Sequence, residues 1–132
     1  MIYMLDTNIC IYTMKKHPQS VFERLRNLSP DLVGISAITE AELRYGMSHS
    51  SMPEHNQEVL DEFLGPFQII SFDSAAAFHY GDIRSQLRKS GTPIGNMDLL
   101  IAAHARSLSV TLVTNNIKEF EKVRGLKLEN WV

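Results

Sequence analysis

The sequence predicts an α/β fold with a mainly parallel sheet of four to five strands and helices on both faces. Short apolar runs of strand length alternate along the chain with longer stretches in which apolar residues recur at helical spacing. The helical stretches are long enough to cross over between parallel strands. Because the 132 residues contain no linker and no internal repeat, they predict a single domain over residues 1–132.

The composition is that of an ordinary globular protein, with 44% hydrophobic and 21% charged residues. A net charge of −2 provides no overall attraction to nucleic acid. The single cysteine, Cys10, cannot form an internal disulfide and is expected to pack in the first helix rather than act as a nucleophile. No apolar run approaches the roughly 20 residues that a bilayer requires, and no targeting pattern is visible. We therefore expect a cytoplasmic protein that does not enter a membrane.

The first strand is predicted at Ile2–Leu5, an apolar run with β-branched and aromatic residues. A short apolar helix follows from Asn8 to Lys16 and is stopped by His17 and Pro18. Proline suits the first turn of a helix, so a second helix is predicted from Pro18. Its apolar face is Val21, Phe22, Leu25 and Leu28.

A turn at residues 29–31 leads to a second buried strand at Leu32–Ser36. The next helix is predicted from Ile38 to Tyr45, with Gly46 as its C-cap. A fourth helix begins at Pro53 and ends before Gly65 and Pro66. Its apolar face is Val59, Leu60, Phe63 and Leu64.

The second half of the chain continues the alternation of strands and helices. A third strand is predicted at Phe67–Phe72, followed by a long helix that Asp73 or Ser74 caps and that reaches Ser90. Its buried stripe is marked by Ala76, Tyr80, Ile83 and Leu87. A loop at 91–95 precedes an apolar helix over residues 96–105. The last elements are a strand at 110–114, a short helix ending near Val123, and a weak fifth strand at 126–131.

Four acidic residues are predicted to lie close to the ends of strands. Asp6 follows the first strand, Glu42 lies on the helix after the second, Asp98 in the first turn of an apolar helix, and Glu119 after the fourth strand. In a parallel sheet the carboxyl ends of the strands border one crevice, so these acids can converge. Close carboxylates are costly unless a cation or shared protons compensate them. Because hard oxygen ligands suit Mg²⁺ and Mn²⁺, the pattern predicts a divalent-ion site.

Each acid also has a purely structural interpretation. Asp6 is a favoured helix N-cap, and Thr39 with Glu42 matches a capping box. Asp98 at a helix N-terminus is favoured by the macrodipole, and Glu119 fits a solvated surface. The acids alone therefore leave both interpretations open.

Basic residues suggest where a phosphate-bearing substrate would lie. No acid occurs between Asp82 and Asp98, whereas Arg84, Arg88 and Lys89 cluster there and lead toward the loop before Asp98. These three are candidates for contacts with substrate phosphates. A second group is interleaved with acids and fits a mixed-charge surface; it consists of Lys118, Lys122, Arg124 and Lys127.

Other site types find no support in the sequence. The five histidines show no metal-ligand spacing, and His79 and His104 are expected to pack rather than bind an ion. Gly91 and Gly95 match no phosphate-binding loop, and no nucleophile elbow is present.

Five segments in order resemble the PIN domain family, and more narrowly the VapC-type toxins of bacterial type II toxin–antitoxin pairs. The resemblance covers essentially the whole chain, and the segments are Met4–Asn8, Ile38–Gly46, Thr92–His104, Leu112–Asn116 and Gly125–Trp131. It implies an endoribonuclease dependent on Mg²⁺, with Mn²⁺ as a substitute, that hydrolyses RNA phosphodiester bonds and inhibits translation. Asp6, Glu42 and Asp98 would be its catalytic and metal-binding carboxylates.

The resemblance also implies supporting residues and partners. Asn8 and Thr114 would hydrogen-bond to the carboxylates. Many family members carry a further acid where this chain has Asn115 and Asn116, so either Asn116 holds water near the metal or Glu119 supplies the charge. The implied partners are a VapB-type antitoxin, a second toxin copy in a homodimer and toxin–antitoxin hetero-oligomer, and RNA. A tRNA anticodon stem-loop, initiator tRNA above all, is the leading substrate, with a ribosomal RNA hairpin as the alternative.

Two functions from other classes remain as rivals at this point. A receiver-like signalling domain also binds Mg²⁺ with an acid at a strand end. It would require neighbouring acids at the first strand and a lysine after a late strand, where this chain has Thr114 and Asn115. In a catalytically idle binding module, the acids would serve only as caps.

Overall fold

A computed structural model describes residues 1–132 and contains one five-stranded sheet. Every neighbouring pair of strands is parallel, and their order is β3-β2-β1-β4-β5. The predicted parallel α/β fold is thereby confirmed. The strands are β1 (Tyr3–Leu5), β2 (Val33–Ser36), β3 (Gln68–Ile70), β4 (Thr111–Val113) and β5 (Lys127–Glu129).

Seven helices connect the strands, in the order that the sequence predicts. None of them combines the length and the apolarity of a membrane-spanning helix. A single 3₁₀ turn at Pro30–Leu32 occupies the predicted turn before β2. The helices are α1 (Thr7–Lys15), α2 (Gln19–Arg26), α3 (Ala37–Ser48), α4 (Pro53–Leu64), α5 (Ser74–Lys89), α6 (Asn96–Ser107) and α7 (Ile117–Phe120).

The predicted end of α3 at Gly46 is wrong. The helix continues through this glycine to Ser48, and an added Cβ at Gly46 would meet nothing within 4 Å. Glycine costs about 1 kcal/mol in a helix interior, which lowers helix propensity without ending the helix. The packing of α3 against α4, reinforced by the ion pair of Arg44 with Asp61, outweighs that cost.

Several other predicted boundaries are too long. The third, fourth and fifth strands are each three residues long, shorter than predicted. Leu28 lies beyond the end of α2, and Tyr80 is only half-buried in α5. The Asp73 cap of α5 is confirmed, because its carboxylate accepts a hydrogen bond from the backbone N–H of Ala76.

The core has two halves, one on each face of the sheet. Met4 and Leu112 are paired across β1 and β4 and are buried against α5, α6 and α7. The next residues, Leu5 and Val113, are also paired, and they are buried on the opposite face with α1, α2, α3 and α4. This alternation follows from the two-residue period of a strand. The apolar residues predicted on α1, α2 and α4 mostly lie in this second half-core, for example Ile9.

Truncating a central strand residue tests this packing. Leu112→Ala is expected to lower the free energy of unfolding by about 2–5 kcal/mol, because Leu112 is fully buried and the remaining cavity cannot collapse. Denaturant unfolding measures the change. Val59→Ala on the exposed side of α4 is the control and should change stability by less than about 0.5 kcal/mol. Equal losses for the two variants would contradict the assigned core.

The strand order creates a switch point between β1 and β4. From β1 the chain first builds outward to β2 and β3, and then returns to place β4 and β5 on the other side. Ligands of open parallel sheets bind outside the carboxyl ends of the strands at such a point. Asp6 follows β1 and Thr114 follows β4, so both lie at this position.

Candidate active site

Asp6 is held at the switch point by two hydrogen bonds. Its Oδ1 accepts from the backbone N–H of Ile9 at 2.9 Å, and its Oδ2 accepts from the Thr114 hydroxyl at 2.5 Å. The residue therefore does cap α1, as its structural interpretation proposes. Burial raises the pKa of Asp6, the two hydrogen bonds oppose this rise, and the charge of Glu42 adds to it. A helix N-cap does not require burial. A carboxylate whose charged form is disfavoured by burial therefore indicates a functional site as well as a cap.

Glu42 is oriented by a residue from another helix. Its Oε1 accepts a hydrogen bond of 2.6 Å from the Thr7 hydroxyl in the first turn of α1. The capping-box interpretation of Glu42 is wrong, because Ser36 caps α3 through the backbone N–H of Ile38 and Thr39 lies inside the helix. Glu42 thus faces the N-terminus of α1, beside Asp6.

Asp98 and Glu119 form an interacting pair of carboxyl groups. Burial, the hydrogen bond and negative charge of Glu119, and the charges of Asp6 and Glu42 together raise the pKa of Asp98 to about 7. Asp98 therefore holds the proton that the pair shares at neutral pH. The charges of three other acids act on Asp98, which is consistent with their positions around the carboxyl ends of β1 and β4.

Glu119 is the fourth acid of this crevice and not a solvated surface residue. Its Oε1 accepts from the backbone N–H of Gly95 at 3.1 Å, and its Oε2 accepts from the Asn116 side chain at 2.6 Å. Burial acts to raise the pKa of Glu119, but the hydrogen bonds from Gly95, Asp98 and Asn116 and the charge of Lys122 outweigh it, so the net shift is downward. The structure places the Glu119 carboxylate next to Asp98 and makes Asn116 its hydrogen-bond donor.

Two of the predicted site residues lie apart from these contacts. The Asn8 side chain is exposed and hydrogen-bonds to none of the carboxylates, because α1 directs it outward. Lys89 does not join Arg84 and Arg88; it lines a separate depression with Asp82. The two arginines, one helical turn apart, line a cavity next to the loop that precedes Asp98.

Comparison with known proteins identifies the family of the chain. A family model described as PIN domain matches residues 3–126. The chain belongs to the PIN domain family. Its relatives include Ribonuclease VapC2 of Rickettsia felis, 52% identical over 99% of this chain and 98% of the relative. The tRNA(fMet)-specific endonuclease VapC of Shigella flexneri is 48% identical over 98% of this chain and 97% of the relative.

A solved structure extends the similarity of this PIN domain to three dimensions. The crystal structure of VapBC2 from Rickettsia felis bound to a DNA fragment from its promoter matches with a TM-score of 0.94 and 50% identity. The match covers all of both chains. The predicted resemblance to VapC-type PIN domains is confirmed, and the chain is a member of a group of RNA-cleaving hydrolases.

The donor atoms of the PIN domain crevice suit a hard divalent ion. Every candidate ligand is a carboxylate oxygen, the chemistry that Mg²⁺ and Mn²⁺ prefer. No three acidic, histidine or cysteine side chains are close enough together to form a complete ligand set of their own. Magnesium in enzymes of phosphate chemistry is bound by one or two carboxylates, water and substrate phosphates, so a partial protein ligand set fits it.

The remaining titratable groups of the PIN domain have structural roles. Cys10 is buried, which raises its thiol pKa well above the ordinary value, and the charge of Asp6 adds to this rise. His104 is buried with its Nδ1 2.7 Å from the Ser36 hydroxyl, and His79 accepts from Arg106. These contacts agree with the prediction that neither histidine binds an ion.

Sequence reasoning missed two supporting groups of the PIN domain site, Thr7 and the backbone N–H of Gly95. Thr7 follows Asp6 directly, but the hydrogen bond to Glu42 spans 35 residues and no local pattern signals it. The Gly95 contact with Glu119 spans 24 residues and involves no side chain of Gly95. Contacts of this kind become visible only when the strand order is known.

Replacing Thr114 tests the support of Asp6. The Thr114 hydroxyl donates to Asp6 and accepts from the backbone N–H of Asn116, so Thr114→Ala leaves two polar groups without their partner. We expect a loss of about 1–3 kcal/mol in the free energy of unfolding and a 10- to 100-fold weaker affinity for Mn²⁺. Denaturant unfolding and metal titration measure the two effects. Thr114→Ser retains the hydroxyl and should resemble the wild type; equal defects in both variants would contradict the role.

Proposed function

We propose that this chain is an endoribonuclease toxin dependent on Mg²⁺ or Mn²⁺ that hydrolyses tRNA. The observation that carries the proposal is the convergence of Asp6, Glu42, Asp98 and Glu119 at one crevice, with the pKa of Asp98 raised to about 7. Uncompensated acids of this kind attract a cation. The ribonuclease and tRNA(fMet)-specific endonuclease names of the relatives support the RNA substrate.

Asp6 and Asp98 would bind the ion directly, and Glu42 would complete its shell or orient the attacking water. When bound, the ion would lower the pKa of a water molecule and offset negative charge that develops on the phosphate. Thr114 and the N-terminus of α1 fix the Asp6 carboxylate, so that it needs no reorganisation. Thr7 orients Glu42, which is half-buried and is suited to position the attacking water.

Glu119 supports the reaction through Asp98. Gly95 and Asn116 hold the ionised Glu119 carboxylate, and this negative charge keeps a proton on Asp98 until positive charge enters the crevice. No histidine pair is required as acid and base. Hydrolysis by water leaves a 5′-phosphate on the downstream product, whereas attack by the 2′-hydroxyl would leave a 2′,3′-cyclic phosphate.

The proposed substrate is the anticodon stem-loop of a tRNA, with initiator tRNA first. Loops expose bases and backbone that side chains can reach, whereas A-form stems hide their base edges. The net charge of the chain is −2 and gives no overall attraction to RNA. Arg84 and Arg88 provide local positive charge near the loop that precedes Asp98. Cleavage of this tRNA would stop translation in the cytoplasm.

We infer that a VapB-type antitoxin is the protein partner. The similar crystal structure from Rickettsia felis is a VapBC2 complex. An apolar groove between α2 and α4 offers a surface for it and is lined by Phe22, Leu25, Leu28, Phe63 and Phe67. The homodimer implied by the resemblance stays a prediction, which light scattering of the toxin alone and of the complex would test.

Cleavage of purified tRNA tests the proposed function. Wild-type protein should cut tRNA in Mg²⁺ or Mn²⁺, lose this activity in EDTA, and leave 5′-phosphate ends that an adaptor ligation detects. Glu42→Gln should cut far more slowly, whereas Glu58→Gln on the exposed face of α4 should not differ from the wild type. Metal-independent cutting, cyclic phosphate ends or no cutting would reject the proposal, and the last result would favour an idle binding module.

A further inference from the structure

A cavity of about 310 Å³ lies between α5 and the loop that leads into α6. Its wall is apolar and is formed by Leu87, Leu99 and Ile94. Leu87 and Leu99 are almost fully buried, and Ile94 packs against the same half of the core, so the wall is held rigidly. Pockets of this kind, apolar with a few polar groups at the edge, are typical binding sites for small flat ligands.

The polar edge of this cavity carries positive charge without a counter-ion. Arg84 and Arg88 line it, and neither forms a salt bridge. The Arg84 guanidinium donates a hydrogen bond to the Tyr80 hydroxyl and lies over the Tyr80 ring. No acid is among the lining residues. Asn96 adds an exposed side-chain amide that has no hydrogen-bond partner in the protein. An anionic ligand with hydrogen-bonding groups matches this edge.

The cavity adjoins the acids at the first turn of α6. Asn96 and Leu99 flank Asp98 on the first turn of α6. Gly95 lies between the two regions, since its backbone N–H donates to Glu119 and an added Cβ would stand 3.8 Å from Asp98 Oδ2. An RNA strand whose phosphate lies at the acids can therefore extend past Gly95 toward the arginines.

We propose that this cavity binds one nucleotide of the RNA next to the scissile bond, with the base against the apolar wall and the phosphate on the two arginines. The inference rests on the proposed function for its RNA, and it assigns part of the substrate choice to these residues. Arg84 and Arg88 provide the charge, Ile94 and Leu99 the surface for the base, and Asn96 a contact to the base edge. An acidic peptide is the competing occupant.

Binding of free nucleotides tests the cavity without any cleavage. Each of the four nucleoside 5′-monophosphates would be titrated into ¹⁵N-labelled protein, with ribose 5-phosphate and an oligoglutamate peptide as comparison probes. We expect saturable shifts of the Ile94, Asn96 and Leu99 amide signals with at least one nucleotide, and weaker shifts with ribose 5-phosphate. Equal shifts with ribose 5-phosphate, or shifts only with oligoglutamate, would overturn the proposal.

Charge-removing variants provide the matched comparison. Arg84→Gln/Arg88→Gln should weaken nucleotide binding about tenfold or more, the usual effect of losing hydrogen bonds to a charged group. Lys89→Gln removes the same type of charge from the next residue, which lines a different depression, and should leave binding unchanged. Equal losses in both proteins would mean nonspecific attraction and would overturn the proposal.

Cleavage kinetics connect the cavity to the acids. The double arginine variant should raise KM for tRNA about tenfold and change kcat by less than about twofold, since the lost contacts bind substrate and transition state alike. A large fall in kcat with unchanged KM would overturn the binding role. Failure of the wild type to cleave any RNA would reject the proposed function instead, and the nucleotide titration would still decide the cavity.

Discussion

Asp98→Asn is expected to reduce tRNA cleavage about a thousandfold or more at neutral pH. Asparagine keeps the shape of the side chain but removes the negative charge that would hold a divalent ion. Stabilisation of developing charge by such an ion is worth several kcal/mol, and about 4 kcal/mol corresponds to a thousandfold in rate. Single-turnover cleavage of tRNA measures the loss. Asp6→Asn should behave alike, because its carboxylate faces the same crevice.

The control for these variants is an acid outside the crevice. Asp31→Asn changes an exposed residue of the 3₁₀ turn before β2 and should cleave at the wild-type rate. Thermal unfolding must show that all three variants remain folded. Near-normal activity of folded Asp98→Asn would contradict the assignment of this residue, even if the protein is a ribonuclease.

The contribution of Asp98 to the stability of the metal-free protein is expected to fall as the pH rises from about 4 to about 7. In this window the folded chain keeps the proton on Asp98, whose pKa is raised to about 7, while the unfolded chain has lost it near pH 4. The folded state binds more protons, so unfolding becomes easier with rising pH, and the dependence levels off above pH 7. Asp98→Asn should be more stable than the wild type at pH 7.5, because asparagine carries no charge that the other acids repel. The expected gain is only on the order of 1–2 kcal/mol, since solvent screens this half-exposed carboxyl.

Denaturant unfolding in EDTA at pH 5 and pH 7.5 measures this difference. Addition of Mg²⁺ at pH 7.5 should stabilise the wild type and not Asp98→Asn, because an ion that binds only the folded state shifts the equilibrium toward it. A wild type whose stability rises between pH 5 and 7.5 relative to Asp98→Asn would contradict the raised pKa of Asp98.

The elements of the fold could be predicted from sequence because most of them have a clear local signal. The strand at Ile2–Leu5 is an apolar run, and α5 begins at a recognisable cap, Asp73. Helix α3 was predicted too short because an exposed glycine, Gly46, has little effect when the helix packs on a neighbour. The position of β4 beside β1 is a long-range arrangement that no local pattern contains.

The acids of the crevice could be predicted for a similar reason, since the carboxyl ends of parallel strands meet on one side of the sheet. The choice between Asn116 and Glu119 could not, because it depends on the loop before α6 reaching the segment after β4. Lys89 was grouped with Arg84 and Arg88 by proximity in sequence, whereas the helix turns its side chain to another surface.

Isothermal titration of Mn²⁺ and Mg²⁺ into metal-free protein tests the central claim most directly. If acids from separate elements hold a divalent ion, the wild type and Asp31→Asn should show saturable binding. Asp6→Asn and Asp98→Asn should lose this binding. The same titration in the presence of a non-cleavable RNA should show tighter binding, because substrate phosphates complete the ligand set. Binding of equal strength in all four proteins, or none in the wild type with or without RNA, would contradict the claim.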